Sequence, residues 1–392
     1  MKTRRLLIYS HDSFGLGHLR RCRTLAHALV DAYKDLTVLI LTGSPIIGRF
    51  DFKARVDFVR IPGVIKLHNG DYTSLALHID LADTLALRES IILHTTKVFA
   101  PDLFLVDKEP LGLKGEVHAT LRMLRDKPTR TVLGLRDVMD APELLADEWR
   151  AKGVFGELEA LYDEYWVYGP RAMGNPLRDL PLDPSVEERM RFTGYLRRDI
   201  PAVANAVDYP PPERPYLLVT PGGGGDGIEM IDWVLRAYES GATLPWRGLF
   251  VLGPFMPQAE RAQFMQRAEK LDQVDMITFD AQLERLMANA SGVVAMGGYN
   301  TFCEILSLNR PALILPRSHP RREQLIRARN AARLDLVSIL DSDGPRSTED
   351  MVAALQRLPQ QPPPSVHEQP GWLDGLDQVI RRVGQLFGEI SP

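Results

Sequence analysis

Gly292-Val293-Val294-Ala295-Met296-Gly297-Gly298-Tyr299-Asn300-Thr301-Phe302-Cys303-Glu304 sets the architecture of the chain. Its apolar start, Gly292–Ala295, reads as a buried strand, the glycine pair as a sharp turn, and Thr301–Leu308 as a helix. Arg310-Pro311-Ala312-Leu313-Ile314-Leu315-Pro316 supplies the next buried strand, closed by a proline. Strand, glycine turn, helix and strand in this order make the repeating unit of a parallel α/β sheet.

The same alternation runs through most of the 392 residues. Leu6–Tyr9, Thr37–Leu41, Leu103–Val106, Thr131–Leu135 and Tyr165–Tyr168 read as strands of a first half. Leu19, Cys22, Ala26 and Leu29 mark a helix by their spacing. Tyr216–Val219, Leu249–Leu252 and Met276–Phe279 are strands of a second half, with helical patterns at Asp226–Tyr238, Ala259–Leu271 and Glu323–Arg333. Between Pro201 and Pro215 five positions are proline, which marks a stiff connector. A second proline cluster, Pro359–Pro370, precedes a tail in which Trp372, Leu376, Val379, Ile380, Val383 and Phe387 share one helical face. That face is expected to pack back on the body, a membrane surface being the alternative. At about 150 residues per domain the length allows two or three, and the connector favours two. The expected division is an N-terminal acceptor-binding domain over 1–205, a linker over 206–215, a donor-binding domain over 216–358, and a connector with an amphipathic helix over 359–392.

Composition narrows the function. Hydrophobic residues are 45% and charged residues 25%, as in soluble globular chains. No run approaches the roughly 20 apolar residues of a spanning helix. The apolar run Leu6–Tyr9 is too short for a signal peptide, so a cytoplasmic protein is expected. Lys and Arg number 47 against 51 Asp and Glu, a net charge of −4, which offers nucleic acid no basic surplus. Cys22 and Cys303 lie far apart within amphipathic patterns, which suits buried apolar use and neither a disulfide framework nor a zinc cluster.

Three strand-to-helix turns carry the chemistry. Ser10-His11-Asp12-Ser13-Phe14-Gly15-Leu16-Gly17-His18 follows the first strand. It is neither a dinucleotide fingerprint nor a Walker loop, lacking the third glycine and any G-K-[ST]. His18 stands at the carboxyl edge of the sheet, where α/β ligands bind, and can take a proton from a hydroxyl or simply cap the helix. Thr220-Pro221-Gly222-Gly223-Gly224-Gly225-Asp226 leaves no side chain between its amides and a phosphate, a flexible loop being the alternative. In the third turn Asn300 and Thr301 offer polar contacts. Glu304, expected in the first helical turn, can accept two ribose hydroxyls or merely favour the helix dipole. Several arginines follow Pro316; a solvated basic face accounts for most, and Arg317, at the strand end, is the candidate phosphate ligand.

Together the three turns resemble the GT-B glycosyltransferases, in particular the MurG-like enzymes of family 28. Gly15-Leu16-Gly17-His18 matches the glycine-histidine turn that opens that family's acceptor domain, and Leu217–Gly225 the start of its donor domain. Gly297-Gly298, Glu304, Pro316 and Glu323-Gln324 follow the order of its signature. The Phe14-Gly15-Leu16-Gly17-His18 turn and Val106-Asp107-Lys108-Glu109-Pro110 are closer still to bacterial proteins described only as predicted glycosyltransferases. The likeness spans about residues 1–358. It departs in a shorter first glycine run, in Glu323 where glutamine is common, and in Gly-Gly-Gly-Gly-Asp at the second turn.

The resemblance implies an α/β, GT-B fold: two doubly wound Rossmann-like domains facing across a cleft, with a C-terminal helical tail. It implies a nucleoside-diphosphate sugar donor, a UDP-sugar by family habit. Gly222, Gly223, Gly224, Gly297, Gly298, Asn300 and Thr301 would lie near the diphosphate and Glu304 on the ribose. Asp280 falls in the base-contacting loop, Arg317, Glu323 and Gln324 complete the donor side, and Gly15 and Gly17 shape the acceptor side. The expected reaction is inverting, metal-independent transfer of a hexosyl group to a hydroxyl acceptor, lipid-linked or a glycan, in bacterial glycan or glycoconjugate biosynthesis. His18 is the expected base; Asp107 is a second candidate base or its orienting partner, a plain helix N-terminal acid being the alternative. No cofactor is expected, and no Asp-x-Asp motif stands at a strand end to hold a metal. A nucleotide-sugar hydrolase, a 2-epimerase or a non-catalytic nucleotide-sugar-binding protein remain alternatives on the same scaffold. Residues between Leu75 and Leu93 read as a core helix, or else as an apolar contact with the inner face of a membrane.

Overall fold

Parallel strands covered on both faces are apolar without alternation, and β1 (Arg4–Ser10) leaves Leu6, Leu7, Ile8 and Tyr9 with no exposed surface. The computed structural model describes residues 3–11, 17–66, 72–200, 209–223, 225–280, 282–341 and 344–388. Gly15, Gly224, Ala281 and linker positions 206–208 therefore lie outside the described residues.

The chain divides into two compact units. In the first, β1 leads to α1 (Gly17–Ala32), β2 (Leu36–Thr42), β3 (Val56–Arg60), an antiparallel pair β4 (Val64–Lys66) and β5 (Tyr72–Ser74), and α2 (Leu81–Phe99). Then come β6 (Leu103–Asp107), α3 (His118–Arg125), β7 (Arg130–Arg136), α4 (Pro142–Ala151), α5 (Leu158–Leu161), β8 (Glu164–Tyr168), α6 (Pro184–Glu188) and β9 (Met190–Phe192). Seven of these strands form one parallel sheet of order β3-β2-β1-β6-β7-β8-β9. The second unit runs β10 (Tyr216–Thr220), α7 (Ile228–Glu239), β11 (Arg247–Val251), α8 (Gln258–Ala268), β12 (Val274–Ile277), α9 (Leu283–Asn289) and β13 (Gly292–Ala295). It continues with α10 (Tyr299–Ser307), β14 (Ala312–Ile314), α11 (Glu323–Arg333), β15 (Ser338–Ile339) and α12 (Thr348–Arg357). Its sheet is also parallel, of order β12-β11-β10-β13-β14-β15. Each unit has its own apolar core.

The division differs from the expected one at both ends of the second unit. The first unit ends at Tyr195 rather than at 205, and residues from Leu196 join the second. The reason is local: the Arg198 amide donates to Ser307 Oγ at 3.0 Å and its guanidinium to Asn300 Oδ1 at 3.0 Å. The tail is no separate piece. Its helix α13 (Gly375–Leu386) packs against α1 in the first unit, where the Tyr33 hydroxyl donates to the Ile380 carbonyl at 2.7 Å. Arg382 reaches buried Glu164, with Nε at 2.9 Å, and Val379 and Val383 are fully covered by protein. The apolar face of the tail is thus spent inside the fold.

Two further expectations change. The strand placed at Met276–Phe279 lies at Val274–Ile277; Phe279 falls beyond it and is exposed, because β12 forms the sheet edge. The stretch read as a core helix buries only Thr84, Arg88, Ile92 and Thr96, one residue per turn, and leaves Leu75, Leu77, Ile79 and Leu87 exposed. Among the described residues no helix is long and apolar enough to cross a membrane.

In each sheet the opening strand has neighbours that run off to opposite sides: β1 lies between β2 and β6, and β10 between β11 and β13. At such a switch point the helices leave in opposite directions, and a crevice opens at the carboxyl ends of the strands. The candidate site residues gather at these two places.

Candidate functional site

In the first unit, His18 is the second residue of α1 and Asp107 the last of β6, so the switch between β1 and β6 brings them together. His18 Nδ1 lies 2.5 Å from Asp107 Oδ2. A carboxylate accepts, so Nδ1 carries the proton and Nε2 keeps its lone pair. Asp107 is almost wholly buried and also accepts from Arg21, with Nε on Oδ1 at 2.8 Å and Nη2 on Oδ2 at 2.6 Å. Burial opposes its charge, but Arg21 and His18 outweigh it and hold the carboxyl far below the usual carboxylate range. Burial likewise disfavours the imidazolium and pushes His18 down to about 4, against the pull of Asp107. At neutral pH the arrangement is an oriented, uncharged imidazole beside an ionised carboxylate. It can accept a proton.

A second layer supports this pair. His11 stands at the end of β1 with its ring 5.6 Å from that of His18, edge to face, and burial holds it well below its usual range. The Tyr9 hydroxyl donates to Glu116 Oε1 at 2.6 Å, and Arg88 clamps Glu116 through Nε at 2.5 Å and Nη2 at 2.6 Å. After Asp107 the backbone turns through Lys108 at φ 69°, a left-handed conformation that is costly for a lysine and recurs at functional sites. Lys108 and Lys152 both reach buried Glu109, at 3.1 and 2.7 Å.

The second unit assembles the glycine turns. A Cβ on Gly222 would lie 3.7 Å from Thr301 Oγ1, so the turn after β10 meets the start of α10. Gly298 precedes α10 as its N-cap, and Asn300 and Thr301 occupy its first turn, where amide groups point outward. Gly297 holds φ 77°, with its carbonyl accepting from Arg327 Nη1 at 3.1 Å. Glu304 is in the second turn of α10, not the first, and has no exposed surface. Asp280 is buried beyond β12, where one oxygen accepts the Gln282 amide at 2.6 Å. Arg317 is no isolated cation: it pairs with Asp226 of the glycine turn and with Glu323 Oε1 at 2.7 Å, while its amide donates to Gln324 Oε1 at 3.2 Å. Gly223 is exposed on the same turn, and Gly17 begins α1. Among the described residues no group of three or more His, Cys, Asp or Glu could hold a metal ion.

Arg21 and Arg198 are neighbours of the candidate site that the sequence reading missed, and Arg327, read with the arginines after Pro316 as a mostly solvated basic face, is buried. Arg21 had a detectable signal, since three residues after His18 it shares a helix face with it. Arg198 had none.

Comparison with known proteins bears on the fold. Residues 251–363 match the model of the glycosyltransferase family 28 C-terminal domain. A UDP-N-acetylglucosamine--N-acetylmuramyl-(pentapeptide) pyrophosphoryl-undecaprenol N-acetylglucosamine transferase from Rhodopseudomonas palustris (strain BisA53) is 28% identical over 144 residues, 35% of this chain. The aligned chain spans 37% of that relative's length. Among solved structures, CalG4, the calicheamicin glycosyltransferase, superposes with a TM-score of 0.62 at 16% identity over 100% of both chains. MurG of Acinetobacter baumannii gives 0.61 at 13% identity, covering 97% of this chain and 99% of its own. The fold is that of the GT-B glycosyltransferases: two Rossmann-like α/β domains with parallel sheets.

Proposed function

We propose, from a second unit that carries a glycosyltransferase family 28 C-terminal domain, that the chain transfers a hexosyl group from a nucleoside-diphosphate sugar to a hydroxyl acceptor. The observation that carries this reading is the His18–Asp107 pair at 2.5 Å, a ready proton acceptor in the unit that does not hold the family 28 match. A UDP-sugar is the donor we favour, because the curated relative is named for a UDP-sugar.

The second unit holds the donor. Amides of the turns at Gly222–Gly223 and Gly297–Gly298 and the α10 N-terminus, with Asn300 and Thr301, meet the diphosphate charge without a metal. Asp280 stands at the base, Glu304 backs the ribose, and Arg317 with Glu323 and Gln324 frames the phosphate side. In the first unit, His18 Nε2 takes the acceptor's hydroxyl proton while Asp107 fixes the ring. The acceptor oxygen bonds to the anomeric carbon as the bond to the diphosphate breaks. The electron pair leaves with the nucleoside diphosphate, and the anomeric configuration inverts. The relative's lipid-linked substrate and the exposed Leu75, Leu77, Ile79 and Leu87 support an acceptor met at the inner membrane face of a cytoplasmic protein, as a step in bacterial glycan synthesis.

Incubation with UDP-sugars, with and without hydroxyl acceptors, tests the proposal. Acceptor-dependent UDP release that His18→Ala abolishes is expected. Equal release without acceptor indicates a hydrolase, a new hexose epimer indicates an epimerase, and tight UDP binding with no turnover indicates a binding protein; each overturns it.

A further inference from the structure

Arg21 is buried on α1 and spends two nitrogens on Asp107, one on each oxygen. Its Nη2 also lies 3.1 Å from His18 Nδ1, because both nitrogens converge on Asp107 Oδ2. The two donors compete for one oxygen, and neither can donate to the other. A carboxylate pinned on both oxygens cannot rotate, so the plane of the imidazole is fixed from behind. The charge balance follows: Asp107 and Arg21 cancel, and a proton on His18 would leave a net positive charge in a buried cluster.

We propose that Arg21 is the positioning residue of this site: it holds Asp107 in register with Nδ1 and keeps the His18 imidazole uncharged, so that Nε2 stays available as a base. An Asp–His pair alone favours the imidazolium, since an opposite charge within hydrogen-bond distance stabilises it. Burial does most to oppose that bias, and Arg21 adds to burial against Asp107 while leaving the orienting hydrogen bond intact. The other charged or titratable groups around the ring are Lys108 after β6 and His11 after β1, with Glu109 and Lys152 facing His11. Lys108 acts in the same direction as Arg21, whereas Asp107 acts against both. Tyr168 of β8 faces Arg21, its ring centroid 6.0 Å from the guanidinium carbon.

The inference rests on reading His18 as the acceptor's base, but its principal test does not use the reaction. In the full-length protein, the His18 titration is followed by NMR in wild type, Arg21→Met and Arg21→Lys. Wild-type His18 is expected to titrate at about 4. Arg21→Met is expected to raise the midpoint by about one to three pH units, the effect of an uncancelled carboxylate neighbour. Arg21→Lys, which keeps the charge, is expected to stay near wild type. If Arg21→Met does not fold, Arg21→Gln keeps a donor to Asp107 without charge and is expected to shift His18 in the same direction. An unchanged midpoint in the neutral variant overturns the proposal and leaves Arg21 a packing residue. The acidic limb of kcat/KM should move upward together with the titration. A moved titration with no sugar transfer in the wild type defeats the transferase reading and leaves the role of Arg21 standing; transfer with an unmoved titration does the reverse.

Discussion

At the scale of single residues, the site depends on burial acting on histidine. His18→Ala is expected to lower kcat by about 10²–10⁴, the usual worth of a positioned general base. Asp107→Asn removes the carboxylate that orients the ring and raises His18, and leaves Arg21 without a counter-charge, so it should lower kcat while the acid limb of kcat/KM moves to lower pH. The same groups give stability a pH dependence of definite sign. His11 and His18 have folded pKa values below the unfolded value of about 6.5, His18 at about 4. Between those values the unfolded chain binds more protons than the folded one, so stability falls as pH drops from 6.5 toward 4. The slope is about 1.4 kcal/mol per pH unit for each such histidine. Denaturant melts of wild type and His11→Gln across this range should show a shallower slope in the variant; equal slopes would exclude His11 as a contributor. His18 and Asp107, 89 residues apart, were both legible as candidates because each stands at a strand end beside a turn. Arg21 carried a signal in its spacing from His18, but like Arg327 it lies on an amphipathic helix where an arginine ordinarily reads as solvated, and only the fold shows both buried.

Elements were legible in proportion to their burial. β1, β2, β6, β7, β8, β10 and β13 sit inside the sheets, and their unbroken apolar runs show it. β3, β9 and β15 went unread because they are short or lie at sheet edges: β3 has one buried residue in five, and β9 and β15 have three and two residues. The glycine turns were legible as turns, but not their mutual contact. Gly253, after β11, has φ 92°, and a Cβ there would lie 2.7 Å from the carbonyl oxygens of Gly222 and Gly223. Neither backbone can retreat as a side chain would. Gly253→Ala is therefore expected to displace the Gly222–Gly223 turn and destabilise the second unit by about 1–3 kcal/mol or more, with weaker nucleotide affinity. A thermal melt and a UDP titration check both parts; unchanged affinity would remove this turn from the donor site. The tail helix gives a complementary case. Deleting residues 375–392 uncovers the surface that Val379 and Val383 occupy and leaves Glu164 without Arg382. It should destabilise the first unit by about 3 kcal/mol or more, at about 1.5–3 kcal/mol per buried aliphatic side chain.

At the scale of the molecule, the chain forms two units that each close their own core. The family 28 match falls wholly within the second and the His18–Asp107 pair lies in the first, so the proposed function assigns nucleotide recognition to one and the proton acceptor to the other. A ligand that binds only the folded protein raises its stability by RT ln(1 + [L]/Kd), about 2.7 kcal/mol at a hundredfold excess over Kd. UDP should therefore raise the melting temperature of the chain, and ADP, GDP and dTDP should raise it less if the loop around Asp280 reads the base. Because the diphosphate is common to all four, equal shifts would mean that the phosphates are bound and the base is ignored. No shift with any would leave the glycine turns without a ligand. His18→Ala removes a group of the first unit alone, so its melting response to UDP should match that of wild type while its turnover is lost. A variant that lost both would place His18 among the determinants of donor binding, and the base assignment would then need other support.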